Sequence, residues 1–170
     1  MSVGRQLRAI GPLPGMAAVV VPSVILLATG SSNAGWGLPA PVGAFAAAAG
    51  VALALFGLSL MYRTIRLFAT AGQGTLAPWD PPRKLVVLGP YRHVRNPMIS
   101  GVMFLLAGEA VLLGSVGIAV WLAAFAAANA LWMPLVEEPA LERRFGDEYR
   151  AYRREVPAWI PGLRPWDATR

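Results

Sequence analysis

The sequence contains no cysteine and a single histidine, His93. Without cysteine, disulfides, thiolate metal sites and cysteine nucleophiles drop out together. One imidazole makes bis-histidine haem ligation within the chain impossible and a multi-histidine metal site unsupported. Charge is scarce too: Asp, Glu, Lys and Arg make up 14% of the 170 residues, against roughly 25% in ordinary globular chains. What fills the space is apolar, with 56% hydrophobic residues and a mean hydropathy of +0.52. From Ala9 to Tyr62 no residue is charged, and from Asn96 to Val136 only Glu109 is. Such blocks have the bilayer as their natural solvent. A soluble enzyme, a disordered tail and a disulfide scaffold are all excluded.

Four membrane spans can be drawn, giving an all-α integral membrane protein in one domain, 1–170. The first, 13–29, contains Pro22, which should kink the helix and leave a carbonyl for a neighbour to cover. A cleaved signal peptide is the rival reading of that region. The second, 42–62, is rich in Ala and Gly and suited to close helix contact. The third and fourth, 97–114 and 116–136, are separated by so little chain that they must form a tight helical hairpin.

The formal charge of +6 suggests nucleic acid until the charges are placed. They flank the apolar blocks, so the expected partner is a membrane surface and not nucleic acid. Arg5 and Arg8 precede the first span, six basic residues lie between spans two and three, and seven follow span four. The opposite loops have none. The positive-inside rule therefore makes both termini and the central loop, 63–96, cytoplasmic. The C-terminal segment, 137–170, has seven basic and seven acidic residues, and its Leu141, Phe145, Tyr149, Tyr152 and Val156 recur as one face of an amphipathic helix. That face could lie on the membrane or dock on the bundle. Compact size and the lack of a eukaryotic retention signal point to a prokaryotic inner membrane.

Two polar motifs stand out against this background. Segment 72–82 is dense in Pro and Gly, and after it Tyr91–Arg92–His93–Val94–Arg95–Asn96–Pro97 marks the cytoplasmic mouth of span three. A plain interfacial anchor, with arginines on lipid phosphates, would explain the second stretch. At the end of span four stand Glu137 and Glu138, then Pro139. Adjacent carboxylates at a membrane boundary need a cation opposite them or the favourable first turn of a helix. The hairpin forces both motifs to one cytoplasmic pocket, and convergent polar groups in an apolar cleft are the default site.

The run from Gly89 to Gly101 resembles the signature of the isoprenylcysteine carboxyl methyltransferase family and its phospholipid methyltransferase relatives: Arg-His/Asn-Pro-x-Tyr-x-Gly after a Gly-Pro-Tyr-Arg lead. Glu137–Glu138–x–x–Leu141, Phe145–Gly146, Tyr149, Tyr152 and Val156 through Pro161 provide the second match. The resemblance covers about the C-terminal 95 residues. It implies an integral-membrane enzyme using S-adenosylmethionine, held between the cytoplasmic end of the hairpin and the C-terminal segment. By the same resemblance Tyr91, Arg92, His93, Arg95, Asn96, Pro97, Gly101, Glu137, Glu138 and Tyr149 bind the cofactor, with His93, Arg95, Asn96 and Glu138 in the catalytic set. Ile99 stands where the motif commonly has Tyr, and Ala158 where many members have Arg, so the acceptor is the open question.

Methyl transfer from a sulfonium is an in-line displacement that needs no metal, thiol or covalent intermediate, which suits this composition. Carboxylates can hold the cofactor's ammonium, Arg92 or Arg95 its carboxylate, and the faces of Tyr91, Trp79 or Tyr149 its sulfonium. A carboxylate acceptor needs no base, whereas an amine could lose its proton to His93 or a glutamate. The acceptor is expected to be a lipid or small hydrophobic molecule arriving from the bilayer. A sterol-reductase-like NADPH enzyme and a non-enzymatic four-helix membrane protein are the alternatives. Glu109, about 18 Å along its helix from Pro97, is expected to serve helix packing, and Asn129 is a possible pocket residue.

Overall fold

The computed structural model describes residues 12–30, 33–71, 85 and 87–167. Among them the secondary structure is helical, with no strand. Helix α1 (12–29) comprises Pro12–Gly15, a π turn Met16–Val20 and Val21–Thr29; α2 is Val42–Ala71, α3 Pro97–Leu113, α4 Val116–Trp132 and α5 Glu138–Glu155. Three stretches, Met16–Gly37, Val42–Leu67 and Val116–Glu155, are long and apolar enough to cross a membrane. Helix α3 is apolar but has 17 residues, about 25 Å of rise.

Pro22 acts as its chemistry requires. In the π turn each N–H reaches five residues back, as Val21 does to the Met16 carbonyl. Pro22 has no N–H to offer Ala17, and the Trp121 indole of α4 donates to that carbonyl instead at 2.9 Å. The expected neighbour cover is thus a side chain from the hairpin.

Helix α3 forms the buried centre. Ala17 and Ala18 of α1 and Ile118 of α4 close on its Val102, Leu105, Leu106 and Ala110. Its tightest contact is with α2, where Gly50 and Gly57 face Gly108 and Gly101. A methyl group at Gly57 would come within 2.5 Å of the Gly101 carbonyl oxygen, so only a Cβ-free seam permits this approach. At the α3–α4 turn, left-handed Gly114 (φ 58°) closes α3 and the Ser115 hydroxyl caps α4.

Two expectations need correction. Helix α2 continues past Tyr62 to Ala71, so Arg63 and Arg66 are helical and not part of the loop: an edge of hydrophobicity marks where lipid ends, not where hydrogen bonding along the rod must stop. The C-terminal segment is not one straight amphipathic helix. Gly146, at φ 56° and ψ −130°, interrupts α5 in a region open essentially to glycine alone, and 147–155 folds back along 138–145. Tyr149, Tyr152 and Val156 still form one buried cluster with Leu141, Phe145, Leu85, Val87 and Trp166 packed on it. Helical periodicity aligns Tyr149, Tyr152 and Val156, and the fold-back brings Leu141 and Phe145 against them.

Candidate active site

The site is assembled by the last part of the described chain. After Val156 the backbone lies along 91–100 and bonds to it repeatedly. Arg95 N–H donates to the Pro157 carbonyl at 2.9 Å, Gly162 N–H to the His93 carbonyl at 2.8 Å and Trp166 N–H to the Arg92 carbonyl at 2.8 Å. Side chains extend the zipper. Asn96 Nδ2 donates to the Ala158 carbonyl at 3.2 Å, Ser100 Oγ to the Trp159 carbonyl at 2.6 Å and Arg92 Nε to the Trp166 carbonyl at 2.7 Å. Arg92 also pairs with Asp167 at 3.2 Å. Because Ala158 engages through its carbonyl, the contact does not depend on which side chain stands there.

The two motifs meet. Arg95 Nη1 lies 3.0 Å from Glu138 Oε1, and Arg153 Nη2 lies 3.0 Å from Glu138 Oε2. The Arg95 and Glu138 side chains are 13% and 7% exposed. Arg153 was absent from the expected set, since nothing in a charge tally signals that Gly146 turns it back onto Glu138. The same fold-back joins Arg150 to Glu142 at 3.3 Å, while Asp147, three residues before Arg150 on the same turn of helix, pairs with it at 2.8 Å. The first-turn explanation of the double glutamate fails: Glu137 has helical φ/ψ and the helix runs through it from α4, so there is no N-terminal dipole to meet. Two guanidinium groups hold Glu138 instead.

Arg95 is only partly satisfied. Its Nε and Nη1 are buried with no hydrogen-bond acceptor, so the Glu138 contact is an ion pair without an aligned hydrogen bond. Glu137 makes no ion pair among the described residues; loss of solvent, then the adjacent Glu138, raises its carboxyl above the ordinary range. Burial pushes the Tyr149 phenol up to about 12, Glu138 adding and Arg95 and Arg153 opposing. The Tyr91 and Tyr152 phenols are also raised, chiefly by burial. Tyr152 Oη donates to the Tyr91 carbonyl at 2.7 Å, tying α5 to the 3-10 turn Gly89–Arg92.

The remaining expected residues divide. Pro97 is buried at the start of α3, and Gly101 lies in the α2–α3 seam against Gly57 and Met61, where it serves packing. Asn129 bonds its own helix, at the Phe125 carbonyl. Glu109 has one buried oxygen without a partner. Trp79 and segment 72–82 lie outside the described residues. His93 Nδ1 is 2.7 Å from the Gly162 carbonyl oxygen, which can only accept, so Nδ1 carries a hydrogen, and Nε2 has no partner among the described residues. His93 also lines an open cleft of about 580 Å³ beside the C-terminal half of α2. Tyr91, Arg95, Glu137, Glu138 and Tyr149 do not line it.

The family described as phospholipid methyltransferase matches residues 45–148. That stretch includes all but the first three residues of α2, on which no motif was legible, as well as the Arg95 and Glu138 motifs, and it stops before Tyr149. No curated protein matches the chain. With more than half of its length matched, and with helices apolar and long enough to cross a bilayer, the chain belongs to the phospholipid methyltransferase family and is an integral-membrane methyltransferase.

Proposed function

We propose that the protein transfers a methyl group from S-adenosylmethionine to a lipophilic or amphiphilic acceptor that reaches the site from the bilayer. The observation that carries this reading is Arg95: a guanidinium held between α3 and α5 with two buried nitrogens lacking acceptors. A buried polar group without a partner calls for an explanation, and a carboxylate-bearing ligand is the natural one for this side chain. Unpaired Glu137 nearby offers the complementary charge for an ammonium. These residues fit an amino-acid zwitterion, with Arg95 taking its carboxylate and Glu137 its ammonium, while Glu138, itself paired with Arg153, holds Arg95 in place.

When bound, S-adenosylmethionine supplies an electrophilic methyl group on a sulfonium. Everything else falls to the chain. The zipper between 91–100 and 157–166 positions the binding groups, and alignment of reacting atoms can contribute roughly 7–11 kcal/mol. The Tyr149 phenol, kept protonated by burial, presents a neutral aromatic wall beside the charged groups. His93 Nε2 can take a proton from an amine, thiol or hydroxyl acceptor. Pro97–Leu113 is read as a fourth span, short but central, with the site at the cytoplasmic face.

Calorimetric titration of the detergent-solubilised protein with S-adenosylmethionine and S-adenosylhomocysteine tests this. Both should bind, and Arg95→Gln should weaken each by at least about tenfold, the loss expected for one charged hydrogen-bonded contact. Unchanged affinity in Arg95→Gln removes the assignment of Arg95. Stabilisation by NADPH with no response to either sulfur compound overturns the methyltransferase mechanism itself.

A further inference from the structure

The donor-side residues leave the cleft beside α2 without a role. Its lining includes Phe56, Leu60, Arg63, Arg66 and Leu67 of that helix, together with His93. We propose that this cleft is the acceptor's binding site and that it takes a single-headed anionic amphiphile, a phosphate or carboxylate on an apolar chain, with the anion on Arg63. The proposal rests on the methyltransferase reading above and adds the substrate class and a second, separate site.

Three observations support it. The order along α2 is that of an amphiphile: Phe56 toward the apolar centre, then Leu60, then Arg63. Seven residues separate Phe56 from Arg63, about 10 Å of helix, enough to run alongside the first methylenes of a chain. Phe56 is fixed there by an edge-on contact with Phe104, ring centres 4.9 Å apart. Second, Arg63 has no ion-pair or hydrogen-bond partner among the described residues and is exposed. A bare interfacial arginine would need no concavity beside it, whereas this one borders a cleft of about 580 Å³, the size of small-molecule sites. Third, His93 is shared: its Nδ1 is committed to Gly162, and Nε2 is left without a partner among the described residues.

The division of labour follows. Arg95, Glu137 and Glu138 do not line the cleft, so donor and acceptor enter from different sides and meet across 92–95. As the acceptor heteroatom bonds the methyl carbon, the methyl–sulfur bond breaks and its electron pair stays on sulfur. The attacking oxygen belongs to the anionic head group and carries no proton, so this step needs no base.

Native mass spectrometry of the full chain from neutral maltoside micelles, without methyl donor, tests the site with dodecyl phosphate, dodecanoate and dodecyl glucoside. One copy of an anionic probe should bind per chain, more tightly than the glucoside. Arg63→Gln should lose about tenfold in that affinity, Arg63→Lys should recover part of it, and Arg154→Gln, exposed and outside the cleft lining, should leave it unchanged. Whether phosphate or carboxylate binds more tightly separates the two sources of the anion. Equal binding of glucoside, or wild-type affinity in Arg63→Gln, overturns the proposal and leaves Arg63 an interfacial anchor. S-adenosylmethionine affinity should be unaltered in Arg63→Gln. If the anionic probes bind through Arg63 while S-adenosylmethionine does not bind the wild type, the cleft stands as an amphiphile site and the methyltransferase reading falls.

Discussion

Arg153 reaches the carboxylate of Glu138 at 3.0 Å although fifteen positions separate them. In a straight helix that spacing is about 22 Å, beyond any pair of side chains. The contact exists because Gly146 reverses the chain, and it brings a second cation onto the residue that also meets Arg95.

Gly146→Ala should therefore act at a distance. A Cβ there meets nothing within 4 Å, so the penalty is backbone strain at φ 56°. Such strain costs about 1–3 kcal/mol. The expected result is a melting temperature lowered by roughly 3–10 °C, read by a thermal shift of the solubilised protein, together with weaker S-adenosylhomocysteine binding. A variant that melts with the wild type would show that the reversal does not need glycine.

The Arg95–Glu138 pair should show strong non-additivity. Removing one partner leaves a buried charge, a loss of about 3–5 kcal/mol, so Arg95→Gln and Glu138→Gln should each destabilise severely. The double substitution should be less harmful than the sum of the two. Denaturant unfolding of the four variants measures the coupling, and simple additivity would mean the two groups do not sense each other.

His93→Gln should slow methyl transfer to a protonated acceptor by about 10²–10⁴ while S-adenosylmethionine still binds. With a carboxylate acceptor the same substitution should change the rate little. Labelled-methyl assays with both acceptor classes read the difference directly.

Alkaline pH should destabilise the fold through buried phenols. Burial pushes the Tyr149 phenol up to about 12 from its ordinary 10.0, and Tyr91 and Tyr152 are raised as well. A raised pKa means the folded state holds the proton that the unfolded state releases. Stability is unaffected by these groups below pH 10 and falls from there upward. Tyrosinate absorbance should lag well behind that of the unfolded chain, and a titration near pH 10 for all four tyrosines would contradict the burial.

Trp121→Phe should lower stability by about 1–2 kcal/mol, since it keeps the ring's bulk but leaves the Ala17 carbonyl in α1 without its donor. Chemical unfolding in detergent would register it, and no change would mean the carbonyl finds another partner.

Much of this architecture was legible in the residue order. Unbroken apolar blocks force helices, because lipid cannot satisfy an exposed backbone. The Ala and Gly content of α2 marked it for close helix contact, though not with which partner, and the short Gly114–Ser115 turn forced α3 and α4 together. That same hairpin already placed the Arg95 and Glu138 motifs side by side. Tertiary structure alone decided how these charges are used. The φ/ψ of Gly146 and the zipper from 157 to 166 depend on contacts between distant segments, so no local pattern reveals Arg153 on Glu138, Ser100 on Trp159 or the single free nitrogen of His93. Periodicity reports which face of a rod is apolar; where the rod breaks, and what lies against it afterward, depends on the free energy of the assembled whole.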